Sequence, residues 1–577
     1  MERADLAWLG AAVLLAVFVS LDPLLTFPVF GSDTGEYARL TGALLSTGHL
    51  PRGLAYAGWG FAYPDFPGLF EVSAATAGAT GADAFTALQV VAPVLGALAL
   101  LPLFLLFRRL FPNDTIAILG AALGAVFMPH MFSIAHPAPL ALGDFLVVGA
   151  LWMFVEGRRD ARWYLPLTLT AGALLATHHL SSYFFAVSAL GLVALSELVW
   201  PRRWSARFPA RELVFVGGFL TAAFAYWFGY AKDFGSIVGT RVLGVPLTFP
   251  VVEVAMLAGV ALIGALIGRR RRAVAAPRFR VRFPSDRSVL RDAAILLIGI
   301  YGGLALLIVH PLPGTGQETN LEALLFFSPL LIAIILTTGS RRLLGFARLG
   351  PLALTWTGAV GLSAIAALAG NSVTISPGRH AEYLVIPLGL VVAICLGRLV
   401  GLAQDRRGRP SAVAAAIAVV VLVGANGLIA YPPPAVFGGF QEGLTEGDAA
   451  VWMWTGIAVP TGCAVASDHR ISSMVFGFDG NPATWQSTPD LFVNSNWSLA
   501  LSELENASAP PAGHHYPISL VIVDGTMRTA GVALDPSQPA APLSPEAVLW
   551  FESPPFVVVY ENGGTEAYWV DLAAAPA

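Results

Sequence analysis

Two carboxylates stand three residues apart in Gly31-Ser32-Asp33-Thr34-Gly35-Glu36-Tyr37, where a helical apolar pattern begins. At that spacing Asp33 and Glu36 project from one face of a helix, within reach of each other. A carboxylate beside a bilayer can take the proton of an acceptor hydroxyl or ligate a divalent metal. The same residues also spell an N-terminal cap, with Ser32 or Asp33 capping and Glu36 closing a capping box. The two readings are compatible, because a cap fixes the direction of the carboxylate.

Other residues able to do chemistry lie far off in sequence. Thr315-Gly316-Gln317-Glu318 offers another carboxylate in a polar turn. Ser376-Pro377-Gly378-Arg379-His380-Ala381-Glu382-Tyr383 opens an apolar run with an arginine whose guanidinium suits bidentate phosphate recognition. Arg379 also has plainer uses, an ion pair with Glu382 or snorkelling to the interface. His136-Pro137 and His178-His179 add imidazoles. Adjacent helical side chains diverge, so His178 and His179 are not expected to share a metal. One of them, with His136 or an acid, could bind metal or phosphate. Ser467-Asp468-His469-Arg470 in the tail matches no hydrolytic triad by spacing.

The elements that must position these residues are membrane helices. Of 577 residues 56% are hydrophobic and 12% charged, with mean hydropathy +0.69. A soluble domain carries about 25% charge. Apolar runs of about 20 residues recur, enough to cross a hydrocarbon core of about 30 Å. We expect a polytopic all-α membrane body of about 13 spans, near 6–27, 83–107, 113–131, 139–156, 162–178, 182–200, 211–230, 250–268, 292–310, 321–338, 349–370, 382–400 and 411–431. No small-residue cleavage site precedes Leu21-Asp22-Pro23, so the first run reads as an uncleaved span.

Charge gives the sidedness. Arg3, Arg108 and Arg109, Arg158 to Arg162, Arg202 to Arg211 and the long series from Arg269 to Arg291 occupy the N-terminus and alternate loops. All ten histidines lie in the opposite set. The positive-inside rule puts the N-terminus and basic loops in the cytoplasm, and the first loop (28–82) and the tail outside a cell membrane. The long Arg-rich loop suits anionic lipid, and nothing in it suggests nucleic acid. Cys395 and Cys463 are not expected to pair.

The first loop holds an amphipathic helix, Thr34 to Thr47, expected to lie in the interface plane, then the aromatic stretch Trp59 to Pro67 containing Tyr63 and Asp65. After Tyr431-Pro432-Pro433-Pro434 the character changes. We divide the chain into a transmembrane part, 1–431, and a small α/β domain, 432–577. Strands are expected at Cys463–Ser467, Leu520–Val523 and Phe556–Tyr560. The last leads through the turn Glu561-Asn562-Gly563-Gly564 into Ala567–Val570. Asn496-Trp497-Ser498 and Asn506-Ala507-Ser508 are glycosylation sequons.

This arrangement resembles the GT-C superfamily of membrane glycosyltransferases, and within it the catalytic subunit of oligosaccharyltransferases. Gly31 to Tyr37 is similar to the acidic first-loop motif, Tyr63-Pro64 to a Tyr-Pro element later in that loop, and Thr315 to Glu318 to the Thr-Ile-x-Glu motif. Arg379 to Tyr383 resembles the family's Arg-Phe-x-Glu-Tyr-like helix start. His136-Pro137 stands where the oligosaccharyltransferases carry Asp-x-Asp, and Val465 to Ser473 stands where they carry Trp-Trp-Asp-Tyr-Gly. The resemblance implies transfer of a sugar or glycan from a polyprenyl-phosphate donor to a lipid, glycan or protein acceptor, without sequon reading. Asp33 would be the base, assisted by Glu36. Arg379 and His178 or His179 would hold donor phosphate, with Tyr63, Asp65, His136, Glu318 and Glu382 lining the substrate. It also implies a divalent metal, magnesium or manganese, with Asp33 and Glu318 as candidate ligands. The competing class is a transporter or flippase of lipid-linked glycans, which needs polar groups strung deep through the spans.

Overall fold

The computed structural model describes residues 2–50, 62–195, 210–232, 325–336, 350–369, 377–434, 441–494, 496–509, 514–534 and 541–575, with Phe234, Arg241, Val242, Val245, Pro246, Ile298 and Val436. The expected spans near 250–268 and 292–310, the loop with Glu318 and the long Arg-rich segment lie outside them.

Among the described residues six helices are long and apolar enough to cross a membrane: Arg3–Leu21, Ala84–Leu110, Pro139–Gly157, Ala210–Tyr230, Arg379–Gly401 and Arg409–Leu428. Shorter apolar helices run Asp114–Val126, His179–Val193 and Leu352–Ala364. Their sequences dictate the boundaries. Asp83 and Asn113 cap helices by accepting from Thr86 and Ile116 N–H, and Pro139 and Pro410 occupy first-turn positions where a missing N–H costs nothing.

The helix that carries Arg379 and Glu382 is locked to a neighbour by close packing. Pro377–Arg407 crosses Asp114–Val126, and a Cβ on Gly389 would lie 2.5 Å from the Gly120 carbonyl and 2.6 Å from the Gly124 nitrogen. Small residues four apart let membrane helices approach backbone to backbone. The basic helix ends also gather: Arg109 pairs with Glu156 at 3.2 Å, and Arg158 with Glu212 at 3.2 Å.

The residues from Gln441 onward form an α/β unit around a mixed five-stranded sheet. Its strands are β1 (Ala464–Ala466), β2 (Ala483–Thr484), β3 (Ile518–Asp524), β4 (Phe556–Glu561) and β5 (Thr565–Val570), in the order β4-β5-β3-β1-β2. β1 runs parallel to β2 and β3, while β5 is antiparallel to β3 and β4. Asn562 closes the β4–β5 hairpin by accepting from the Gly564 and Thr565 N–H groups, with Gly563 at φ 81. Strand β2 escaped the sequence reading because its two residues carry no alternation. The central β3 is buried on both faces, one lined by Leu491, Phe492, Phe551 and Tyr568 and the other by Val451, Trp452, Ile471 and Val475. Val29-Phe30, just before the acidic motif, pairs antiparallel with Gly443-Leu444, so the unit is stitched to the first loop by backbone hydrogen bonds.

Candidate active site

Asp33 occupies the N-cap position of the helix Thr34–Thr47, yet its side chain makes no capping hydrogen bond. Its oxygens turn elsewhere: Oδ1 lies 2.9 Å from His469 Nε2, and Oδ2 accepts from the Tyr37 hydroxyl at 3.1 Å. The carboxylate remains 43% exposed, so a substrate can reach it. Enclosure by the protein works against the charged form of each partner, but the hydrogen bond and mutual attraction prevail. Asp33 is held below the usual carboxylate range and His469 above the usual histidine value. The contact therefore favours carboxylate on Asp33 and imidazolium on His469. Glu36, by contrast, is buried, and its backbone N–H donates to Ser473 Oγ at 3.4 Å.

The segment Val465 to Ser473 lies against the acidic motif. Asp468 caps the helix His469–Met474 by accepting from Ile471 N–H, which fixes where the His469 ring begins. That ring stacks on Trp485 at 4.3 Å between centroids. A Cβ on Gly35 would lie 2.1 Å from the Ser473 carbonyl oxygen, and one on Gly477 would lie 2.1 Å from the Gly35 oxygen. Only glycine fits this crossing. Arg39 donates to the Phe476 carbonyl at 2.6 Å and sits over the Phe476 ring at 4.5 Å. Glu442 closes the other side. It accepts from Ser32 N–H at 2.6 Å and faces His136 Nε2 at 3.3 Å. Burial opposes its charge, but His136 and Ser32 hold its carboxyl below the usual range.

Tyr37 and Tyr63 link Asp33 to Arg379. Their rings meet edge to face at 5.0 Å, and both Asp33 and Arg379 act electrostatically on the Tyr63 hydroxyl. Arg379, in the first turn of Pro377–Arg407, is 52% exposed and lies 3.8 Å from Glu382. Tyr63, Tyr37 and Tyr383 are among its charged or polar neighbours. Asp33 and Arg379 thus both act on Tyr63, Glu382 lies beside Arg379, and the Arg379 charge also reaches His178 and His179. His178 is instead used as an N-cap, its Nδ1 accepting from Ser181 N–H at 3.2 Å. His179 packs between Phe66 and Phe234, at 5.4 and 4.4 Å. Asp65 is buried, and its backbone carbonyl accepts from the Tyr226 hydroxyl at 2.5 Å. Glu318 lies outside the described residues.

The sequence reading weighed His469 only as part of a hydrolytic triad and set it aside, and it gave Tyr37, Glu442 and His130 no role of their own. Their roles arise from contacts between remote segments, and no local spacing announces them. Asp33 does not gather a metal-donor set among the described residues, since its oxygens face an imidazolium and a phenol. The group of suitable donors among those residues is His130, Asp144 and Glu382, whose ligand atoms all lie within 4.8 Å of one another.

The chain shares its fold with a solved membrane-bound oligosaccharyltransferase. Among solved structures the chain is similar to the oligosaccharyltransferase of Archaeoglobus fulgidus in its apo form, at 15% identity and TM-score 0.57, over 92% of this chain and 70% of that one. It is similar to the same enzyme with an inhibitory peptide and a dolichol-phosphate, at 14% identity and TM-score 0.54, over 100% and 75%. The complex with zinc and sulfate matches at 14% identity and TM-score 0.51, over 98% and 74%. At these identities the likeness is one of fold. Comparison with family models and with curated proteins gives no match.

Proposed function

We propose that the protein is an inverting glycosyltransferase that moves a sugar or short glycan from a polyprenyl-phosphate donor to an acceptor at the extracytoplasmic membrane face. The observation that carries this reading is Asp33 released from capping and held, ionised and exposed, between His469 and Tyr37. An acceptor hydroxyl attacks the anomeric carbon as Asp33 takes its proton, and the lipid phosphate leaves with the bonding pair. His469 and Tyr37 aim the carboxylate, while Arg379 offsets the charge building on the departing phosphate. Asp65 and Glu318 are assigned to the acceptor side. The fold match adds weight, because that archaeal enzyme is solved with a dolichol-phosphate. Val465 to Ser473, in place of Trp-Trp-Asp-Tyr-Gly, is given over to holding Asp33 and Gly35, which argues against sequon reading.

A glycan flippase would need polar groups strung along the spans. Among the described residues the buried acids of the spans Pro139–Gly157 and Pro377–Arg407, Asp144 and Glu382, instead sit together within the first two turns of their helices. That placement favours an interfacial enzyme. The test is to incubate purified protein with candidate polyprenyl-phosphate sugars and follow release of lipid phosphate. Turnover that persists undiminished in Asp33→Asn overturns the assignment.

A further inference from the structure

We propose that His130, Asp144 and Glu382 form a buried site for one divalent transition-metal cation of the zinc or manganese class. The three residues come from three helices, His130–Ala135, Pro139–Gly157 and Pro377–Arg407, and all are almost wholly buried. His130 Nδ1 lies 3.3 Å from Asp144 Oδ2, and one ligand atom from each of the three falls within 4.8 Å of the others.

The second observation is what these atoms lack. His130 Nδ1, Asp144 Oδ2 and both oxygens of Glu382 make no well-formed hydrogen bond, although the first two meet each other at 3.3 Å and Ser133 stands beside Glu382. Such atoms on three residues whose ligand atoms lie within 4.8 Å of one another are unusual, because buried polar atoms are nearly always paired, and a buried carboxylate without compensation is costly. Arg379 stands 3.8 Å from one Glu382 oxygen, too far for a hydrogen bond, and its side chain is half exposed. A divalent cation satisfies all of these atoms at once.

The outer oxygen of the cluster is supported as a metal ligand's would be. Asp144 Oδ1 accepts from the Tyr383 hydroxyl at 2.7 Å, and that hydroxyl is 2.8 Å from Ser181 Oγ. Ligating carboxylates are commonly held by such partners. One imidazole nitrogen with two carboxylates suits zinc or manganese, whereas magnesium and calcium prefer oxygen alone. This places the ion inside the helical bundle and not on Asp33, whose oxygens are engaged by His469 and Tyr37. It also commits Glu382 to the metal, leaving Arg379 free of its nearest carboxylate.

The test uses full-length protein in detergent, stripped with EDTA, titrated with zinc or manganese chloride, and desalted before elemental analysis. The expected result is one retained ion per chain and a higher melting temperature. Glu382→Gln and Asp144→Asn should fall to background retention, Tyr383→Phe should bind about 10–100-fold more weakly, and Asp33→Asn should retain the ion. If wild-type protein keeps neither ion, the cluster is satisfied by protons and the proposal falls. It falls equally if Asp33→Asn loses the ion while Glu382→Gln keeps it. The wild-type stoichiometry decides even where a variant misfolds, and none of these readouts depends on transferase activity.

Discussion

His469 Nε2 meets Asp33 Oδ1 at 2.9 Å, joining the tail of the chain to the carboxylate of its first loop. The pair has a defined pH window. Asp33 titrates below its usual range, so the contact is lost only as pH falls through that lowered value. His469 titrates above its usual value, so the charge pair is complete at lower pH and lost as pH rises through the raised one. Turnover should decline on the alkaline side as His469 loses its proton. In His469→Gln, which cannot carry that charge, the alkaline decline should disappear at a reduced rate overall. A pH series of lipid-phosphate release, run on both proteins, checks it, and an identical alkaline limb in the variant would count against the pairing.

Asp33→Asn keeps the size of the side chain and removes its basicity. We expect transfer to fall by about 10²–10⁴-fold, the usual contribution of a general base. The protein should still elute as a monodisperse species on size exclusion, because Asp33 makes no capping bond that the helix would miss.

Arg379 should act on the donor. Arg379→Lys keeps a charge but loses the planar fork, so KM for the lipid donor should rise while the acceptor's KM stays put. Steady-state kinetics with each substrate varied in turn separates the two.

Much of this was legible in the sequence. The helix Thr34–Thr47 and the Asn562-Gly563 hairpin follow from amphipathic periodicity and turn chemistry that act within a few residues, whereas the expected side-chain cap on that helix is not made. Membrane helices were legible because hydrophobic length is a local property. The choice between cap and site at Asp33 was not, since it depends on His469 arriving from the tail. His130, Asp144 and Glu382 were equally hidden: each is an isolated polar residue in an apolar context until three helices bring them together.

Gly35→Ala should separate the two halves of the site. Its Cβ would collide with the Ser473 carbonyl, a backbone atom that cannot rotate away. Overpacking of this kind costs about 1–3 kcal/mol. Gly477→Ala strikes the same crossing from the other side, so the double variant should cost less than the sum of the two singles. Melting temperatures of the three proteins test this, and strict additivity would show that the crossing is not shared.

Arg470, adjacent to His469, is buried and holds the tail segment in place. Its guanidinium donates to Asp468 at 2.6 Å and Asp524 at 2.9 Å, and to the Gly443 carbonyl at 3.1 Å. Asp448 belongs to the same group: burial, with Asp524 beside it, pushes its carboxyl up to about 6. Arg470→Met removes the positive charge that these acids share and should cost about 3–5 kcal/mol at neutral pH. A carboxyl whose folded pKa is raised binds its proton more tightly in the folded state. Its effect on stability therefore worsens as pH rises from the unfolded value toward the raised one. Without Arg470 that penalty grows, because Asp468 and Asp524 lose their counter-charge as well. Acidification through that range should thus restore more stability to Arg470→Met than to wild type. Thermal melts of both proteins across that range measure the difference, and parallel curves would show that the acids do not depend on Arg470.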